Sequence, residues 1–131
     1  MRRAFRLPEQ DEAFLNALGR TWETVIENDV RWLLIHERKL PSGYASATAS
    51  EAYRIDTGYP DTQLDMVYFN PPISRTDGRP IGALSHQTLD GQNWQRWSRH
   101  RCPEHPWRSG EDDVSSHFLL VDHWLEREFS Q

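Results

Sequence analysis

Between residues 22 and 69 the chain repeats one pattern, a short extended run closed by a turn signal. Residues 22–27 alternate about Trp22, Thr24 and Ile26. Asn28-Asp29 then offers a two-residue turn, and the run resumes from Val30 to Glu37, which predicts a hairpin. Pro41-Ser42-Gly43 breaks the chain, residues 47–55 read as a third strand, and residues 64–69, with Met66, Val67, Tyr68 and Phe69, as a fourth. Short strands joined by short turns pair with their sequence neighbours, so the middle of the chain is expected to be a four-stranded antiparallel meander.

Helices flank the meander. Pro8 followed by Glu9, Asp11 and Glu12 suits a helix first turn, Phe14, Leu15 and Leu18 form an apolar stripe, and Gly19 ends a helix over roughly residues 9–18. Asp112-Asp113 opens a second helix, with Val114, Phe118, Val121, Leu125 and Phe129 on one side through to the C-terminus. At 131 residues, one α+β domain over residues 1–131 is expected. A mean hydropathy of -0.81 leans towards disorder. The fifteen aromatic residues argue the other way, because each buries a large area and a small core can still close.

The formal net charge of -5 disfavours a general nucleic-acid or anionic-membrane binder, since phosphate contacts need a positive field. Trp32-Leu33-Leu34-Ile35 is too short an apolar run to span a bilayer, and Met1-Arg2-Arg3 leads into no apolar signal region, so a cytoplasmic protein is expected.

Residues 70–110 lack clear periodicity and carry Asn70-Pro71-Pro72, Asp77-Gly78-Arg79-Pro80, Asp90-Gly91 and Pro103-Glu104-His105-Pro106. A long irregular segment inside a small domain is usually functional. This one holds Cys102, the only cysteine, behind Arg99-His100-Arg101. A single cysteine excludes an intrachain disulfide and leaves three readings: an inert loop residue, a nucleophile, or a metal ligand in His100-x-Cys102-x-x-His105 with His86 or Asp90 as a fourth group. The basic flank matters to the second reading, because a free thiol is only about 3% ionised at neutral pH. Trp94 and Trp97 read either as core under the segment or as a docking face, and Arg96, Arg99 and Arg101 as a docking surface for an acidic partner or as solvated loop. Lys39 is the only lysine beside fourteen arginines, as base-composition bias alone can produce.

The order of elements, with Gly58-Tyr59-Pro60 before the fourth strand and Asn70-Pro71-Pro72 after it, resembles the ubiquitin-conjugating enzyme (UBC-like) fold over roughly residues 8–129. Gly58-Tyr59-Pro60-Asp61, Asp77-Gly78-Arg79-Pro80-Ile81, the block from Trp94 to His100 and the ending Trp124-Leu125-Glu126-Arg127-Glu128 are similar to a bacterial branch of that superfamily associated with multi-ubiquitin-like proteins. The non-catalytic RWD-type modules share the fold and its Tyr-Pro feature, so fold by itself does not choose between enzyme and scaffold.

The resemblance implies that Cys102 accepts a ubiquitin-like protein from an activating enzyme as a thioester, with a JAB-type peptidase in the same pathway and no cofactor, because the ATP chemistry belongs to the activating enzyme. Trp107 and Asp112 follow Cys102 in the family's order, at a spacing shorter than usual. His86 matches the His of the family's His-Pro-Asn, and Thr88 stands where the oxyanion-stabilising Asn is expected, with Gln87 or Asn93 as other donors. His100 is a candidate base or thiolate partner, or a solvated residue. Asp112 and Asp113 read as helix caps or as acids that orient an incoming amine. A carrier of an activated acyl group also gains from having few amines of its own.

Overall fold

The computed structural model describes residues 1–130, which form helix α1 (Glu9–Ala17), strands β1 (Trp22–Glu27), β2 (Val30–Lys39), β3 (Thr48–Ile55), β4 (Val67–Asn70), β5 (Leu84–Leu89) and β6 (Gln92–Trp97), helix α2 (Val114–Arg127) and a closing 3-10 turn, Glu128–Ser130. All strand pairings are antiparallel, in the order β1-β2-β3-β4-β6-β5. The sheet therefore has six strands rather than the four expected, and the added pair lies within the segment expected to be irregular.

That hairpin is built on Asp90-Gly91, whose φ angles of 54° and 72° make the mirror-image turn that matches strand twist. Residues 84–89 contribute only Leu84 and Leu89 as apolar side chains, so the alternation that normally signals a strand is missing. β4 begins at Val67, later than the pattern predicts. Met66 has φ 59° and its N–H bonds the Arg99 carbonyl at 3.1 Å, so the chain turns there before pairing begins. Both helices appear close to their expected bounds, and Asp113 caps α2 by accepting from the Ser116 N–H at 3.2 Å.

The sheet is apolar on both faces. Leu33, Ile35, Tyr53, Val67, Phe69 and Trp97 face the helices and pack against Leu15, Val121 and Leu125. Alternate residues, Trp32, Leu34, Ala52, Tyr68 and Trp94, form a second cluster on the opposite face. In β2 the register slips by one residue between Ile35 and Arg38, with Glu37 at φ 59°. This bulge turns Arg38, which would otherwise face away, towards the helices. There its buried guanidinium pairs with Glu51 and Asp122, donates to the Phe118 carbonyl at 2.9 Å and lies 3.9 Å from the Phe118 ring centroid, tying β2 to α2.

The middle of the β1 edge is occupied by the N-terminal arm. Ala4 N–H donates to the Thr24 carbonyl at 2.9 Å, Thr24 N–H donates to the Arg2 carbonyl at 3.0 Å, and Arg3 bonds the Trp22 carbonyl. Arg2 also bridges Glu23 and Asp90, drawing β1 towards the β5–β6 turn. β5 is the other edge. Among the described residues no helix is long and apolar enough to cross a membrane.

Candidate active site

The chain between β6 and α2 is held by side chains that point inward. Arg99 donates to the Gly82 carbonyl and pairs with Glu128, each at 3.0 Å. Arg101 lies 4.7 Å from the Trp107 ring centroid and donates to the Leu64 carbonyl at 3.2 Å and to His117 Nδ1 at 3.0 Å. The Trp107 N–H donates to the Pro60 carbonyl at 3.0 Å, which fixes the far end of the loop to the Tyr59-Pro60 segment. Tyr59 in turn donates to the buried Asp11 at 2.6 Å, and Asp11 also accepts from the Val114 N–H at 3.2 Å, so α1, the Tyr-Pro segment and the start of α2 share one carboxylate. Burial raises the Asp11 carboxyl above its ordinary range despite those donors.

His117 is the innermost member of this scaffold. It has no exposed surface, its Nε2–H donates to the Met66 carbonyl at 2.9 Å, and Tyr53 and Trp124 meet its ring edge-on at 4.8 and 5.5 Å. Burial pushes its pKa down to about 4, with the positive charges of Arg101 and Arg38 acting in the same direction, so the imidazole is neutral at pH 7. Burial likewise lowers the pKa of Arg101.

With its neighbours pinned, Cys102 is left exposed. A turn follows at once, His105 N–H bonding the Cys102 carbonyl at 3.0 Å. Cys102 lines a cleft of about 180 Å³ together with His100, Arg101 and His105 on the loop side. The other wall is one face of α2, where Leu120, His123, Trp124 and Arg127 follow helical spacing. His123 has no sequence signature beyond its place on α2, and Arg127 stands out in the sequence only as part of the ending Trp124-Leu125-Glu126-Arg127-Glu128. Their i, i+4 spacing, with Leu120 and Trp124 on the same stripe, is the signal that marks the wall.

The other predicted site residues are dispersed. His100 is at the cleft, its Nδ1 2.8 Å from Asp65. His86 and Thr88 are exposed on β5, His86 facing the Asn93 amide at 3.4 Å, and neither lines the cleft. Trp97 is wholly buried, its N–H donating to Gln95 at 2.9 Å, and therefore belongs to the core rather than to a docking face. Arg96 is on the sheet face opposite the helices, as its pairing with Tyr68 and Ser85 requires. Asp112 accepts from the Arg108 N–H at 2.7 Å and Asp113 caps α2. Among the described residues no three of His, Cys, Asp and Glu are grouped to hold a metal ion.

The sequence matches the profile described as Prokaryotic E2 family E over residues 7–128. The chain belongs to that family. No curated protein and no solved structure matches the chain significantly. The E2-like match runs from just before α1 to the end of α2, enclosing the scaffold around Asp11 and the loop that carries Cys102. It supports a ubiquitin-conjugating-like role for the chain.

Proposed function

We propose that the protein is a ubiquitin-conjugating-type acyl transferase with Cys102 as its nucleophile, acting in the cytoplasm. The observation that carries this reading is the placement of the only thiol, exposed on a loop whose neighbours are fastened inward and facing a cleft walled by α2. The Cys102 thiolate attacks the carbonyl carbon of a thioester borne by an activating enzyme. A new C–S bond forms, and the activating enzyme's thiolate leaves. In the second step an amine of the target attacks the same carbon, the C–N bond forms, and Cys102 departs as thiolate. The amine's proton passes to an imidazole nitrogen, and His105 and His123 line the cleft. Arg101 and Arg127 line the same cleft. No cofactor is required. The partners are a ubiquitin-like protein and its activating enzyme, with a JAB-type peptidase acting in the same pathway.

The test combines the protein with its cognate activating enzyme, the ubiquitin-like protein and ATP. An adduct is expected that dissolves in excess thiol and is absent in Cys102→Ala. An adduct that persists in Cys102→Ala refutes the assignment.

A non-catalytic scaffold is favoured by one observation: the cleft lining contains no Asn or Gln, and His86 and Thr88 do not reach it, so no amide stands ready to stabilise a tetrahedral oxyanion. On that reading Cys102→Ser keeps pathway output intact, while the transferase reading has it trap a thiol-resistant oxyester.

A further inference from the structure

The face of the sheet turned away from the helices carries a polar cavity that the chemistry at Cys102 does not use. Cross-strand pairing places Trp32 beside Arg54, and Arg96 between Tyr68 and Ser85, all on that face. Trp32, Arg54, Tyr68, Gln87 and Arg96 line an open cavity of about 230 Å³, with Glu27 at the rim. The cavity is too small for a nucleotide and matches a single charged group.

Its hydrogen bonding is incomplete. Arg96 Nε and the Ser85 hydroxyl, on directly paired residues, are buried and have no partner among the described residues. Buried polar groups in folded chains are nearly always satisfied, so a donor left over beside a cavity is waiting for an acceptor. The nearby carboxylates are turned elsewhere: the oxygens of Glu27 face the Asp90 N–H at 3.1 and 3.3 Å, and Asp65, whose charge also reaches Tyr68, pairs through Oδ2 with His100 at 2.8 Å. Burial pushes the Tyr68 phenol up, and the charges of Arg96 and Arg54, with a hydrogen bond from Arg96, partly offset it. Two guanidinium groups, a phenol and an amide above an aromatic floor make a site for a planar or tetrahedral oxyanion. Among the described residues neither Arg54 nor Arg96 forms an ion pair, although the chain carries a net charge of -5.

We propose that this cavity binds an oxyanion, a carboxylate or phosphate group on a small molecule, held between Arg54 and Arg96 on the face opposite Cys102. The site does not depend on the assignment of Cys102 as nucleophile. The experiment follows backbone and indole N–H resonances of the full chain during titration with glutarate in one arm and inorganic phosphate in the other. Saturable shifts at Trp32, Tyr68 and Arg96 are expected in at least one arm, and the tighter arm identifies the class. Arg54→Gln, at an exposed position, and Arg96→Gln are each expected to weaken binding about tenfold or more. Cys102→Ala is expected to bind as the wild type does. Absence of saturable shifts in both arms overturns the proposal, as does binding that survives both arginine substitutions. Shifts confined to the Cys102 cleft also overturn it.

Discussion

Lowering the pH from 7 to 5 tests the scaffold beneath the Cys102 loop, because the buried His117 must gain a proton that it has no room to hold. Its pKa falls from 6.5 to about 4 on folding. At roughly 1.4 kcal/mol per tenfold difference in proton affinity, protonating the folded chain costs about 3 kcal/mol more than protonating the unfolded one. A group whose folded pKa is depressed stabilises fully above its unfolded pKa and loses that contribution as pH falls towards the folded value. The window is therefore about pH 6.5 down to about 4, and about 2 kcal/mol is lost between pH 7 and pH 5. For a domain of this size that corresponds to roughly 6–10 °C in Tm. The other groups with shifted pKa values are separable. Glu23, held down to about 2 chiefly by Arg2, loses its contribution only below its ordinary range, whereas burial raises Asp11 and Glu51 and gives them the opposite slope. Urea unfolding at half-unit steps from pH 4.5 to 7.5, in wild type and His117→Gln, isolates the histidine by difference. Gln keeps a donor for the Met66 carbonyl and has no proton to gain. The difference in stability should shrink by about 2 kcal/mol on going to pH 5. Parallel curves for the two proteins refute the account of His117 as a neutral, buried strut.

Three further outcomes follow from other contacts. Glu51→Gln strips the buried Arg38 of its fully buried counter-charge and is expected to cost about 3 kcal/mol in denaturant unfolding, whereas the exposed Asp61→Asn, which loses only a loop contact to Ser109, should cost under about 1 kcal/mol. Gly43→Ala places a Cβ 2.7 Å from the Phe129 ring at a φ of 108°, so Tm should fall and hydrogen exchange should rise around Tyr44 and the C-terminal turn. Trp107→Phe removes the bond to the Pro60 carbonyl while keeping a ring over Arg101. On the transferase reading it should slow adduct formation at Cys102 several-fold while lowering stability by about 1 kcal/mol.

The parts of this fold that were legible in the sequence share a physical basis. β1, β2 and β3 alternate or run apolar because both sheet faces are covered there, and the acidic starts of α1 and α2 appear where the helix termini demand them. The β5–β6 hairpin escaped because the middle of β5, Ser85, His86, Gln87 and Thr88, is polar throughout and carries no apolar alternation. Asp90-Gly91 was the one usable clue, and it is a strong hairpin turn. The site was legible as a segment and as a single thiol, but not as a cleft. Its far wall comes from α2, some twenty residues away, and His123 and Arg127 join Cys102 only through the packing of that helix. Trp97 shows the opposite case: beside a basic run it reads as core or as docking face, and the pleat decides for the core by sending it inward.

The two edges of the sheet are unequal, and this limits how copies of the chain can associate. Along β1 the arm from Arg2 to Ala4 has already taken the outward groups of Thr24, so a further ladder there has to displace it. Among the described residues β5 pairs only with β6, so its far side stays open to a further strand. A β5-to-β5 contact between two copies uses up both of those edges at once and closes at two, which makes a sheet-borne dimer an end point rather than the start of a fibre.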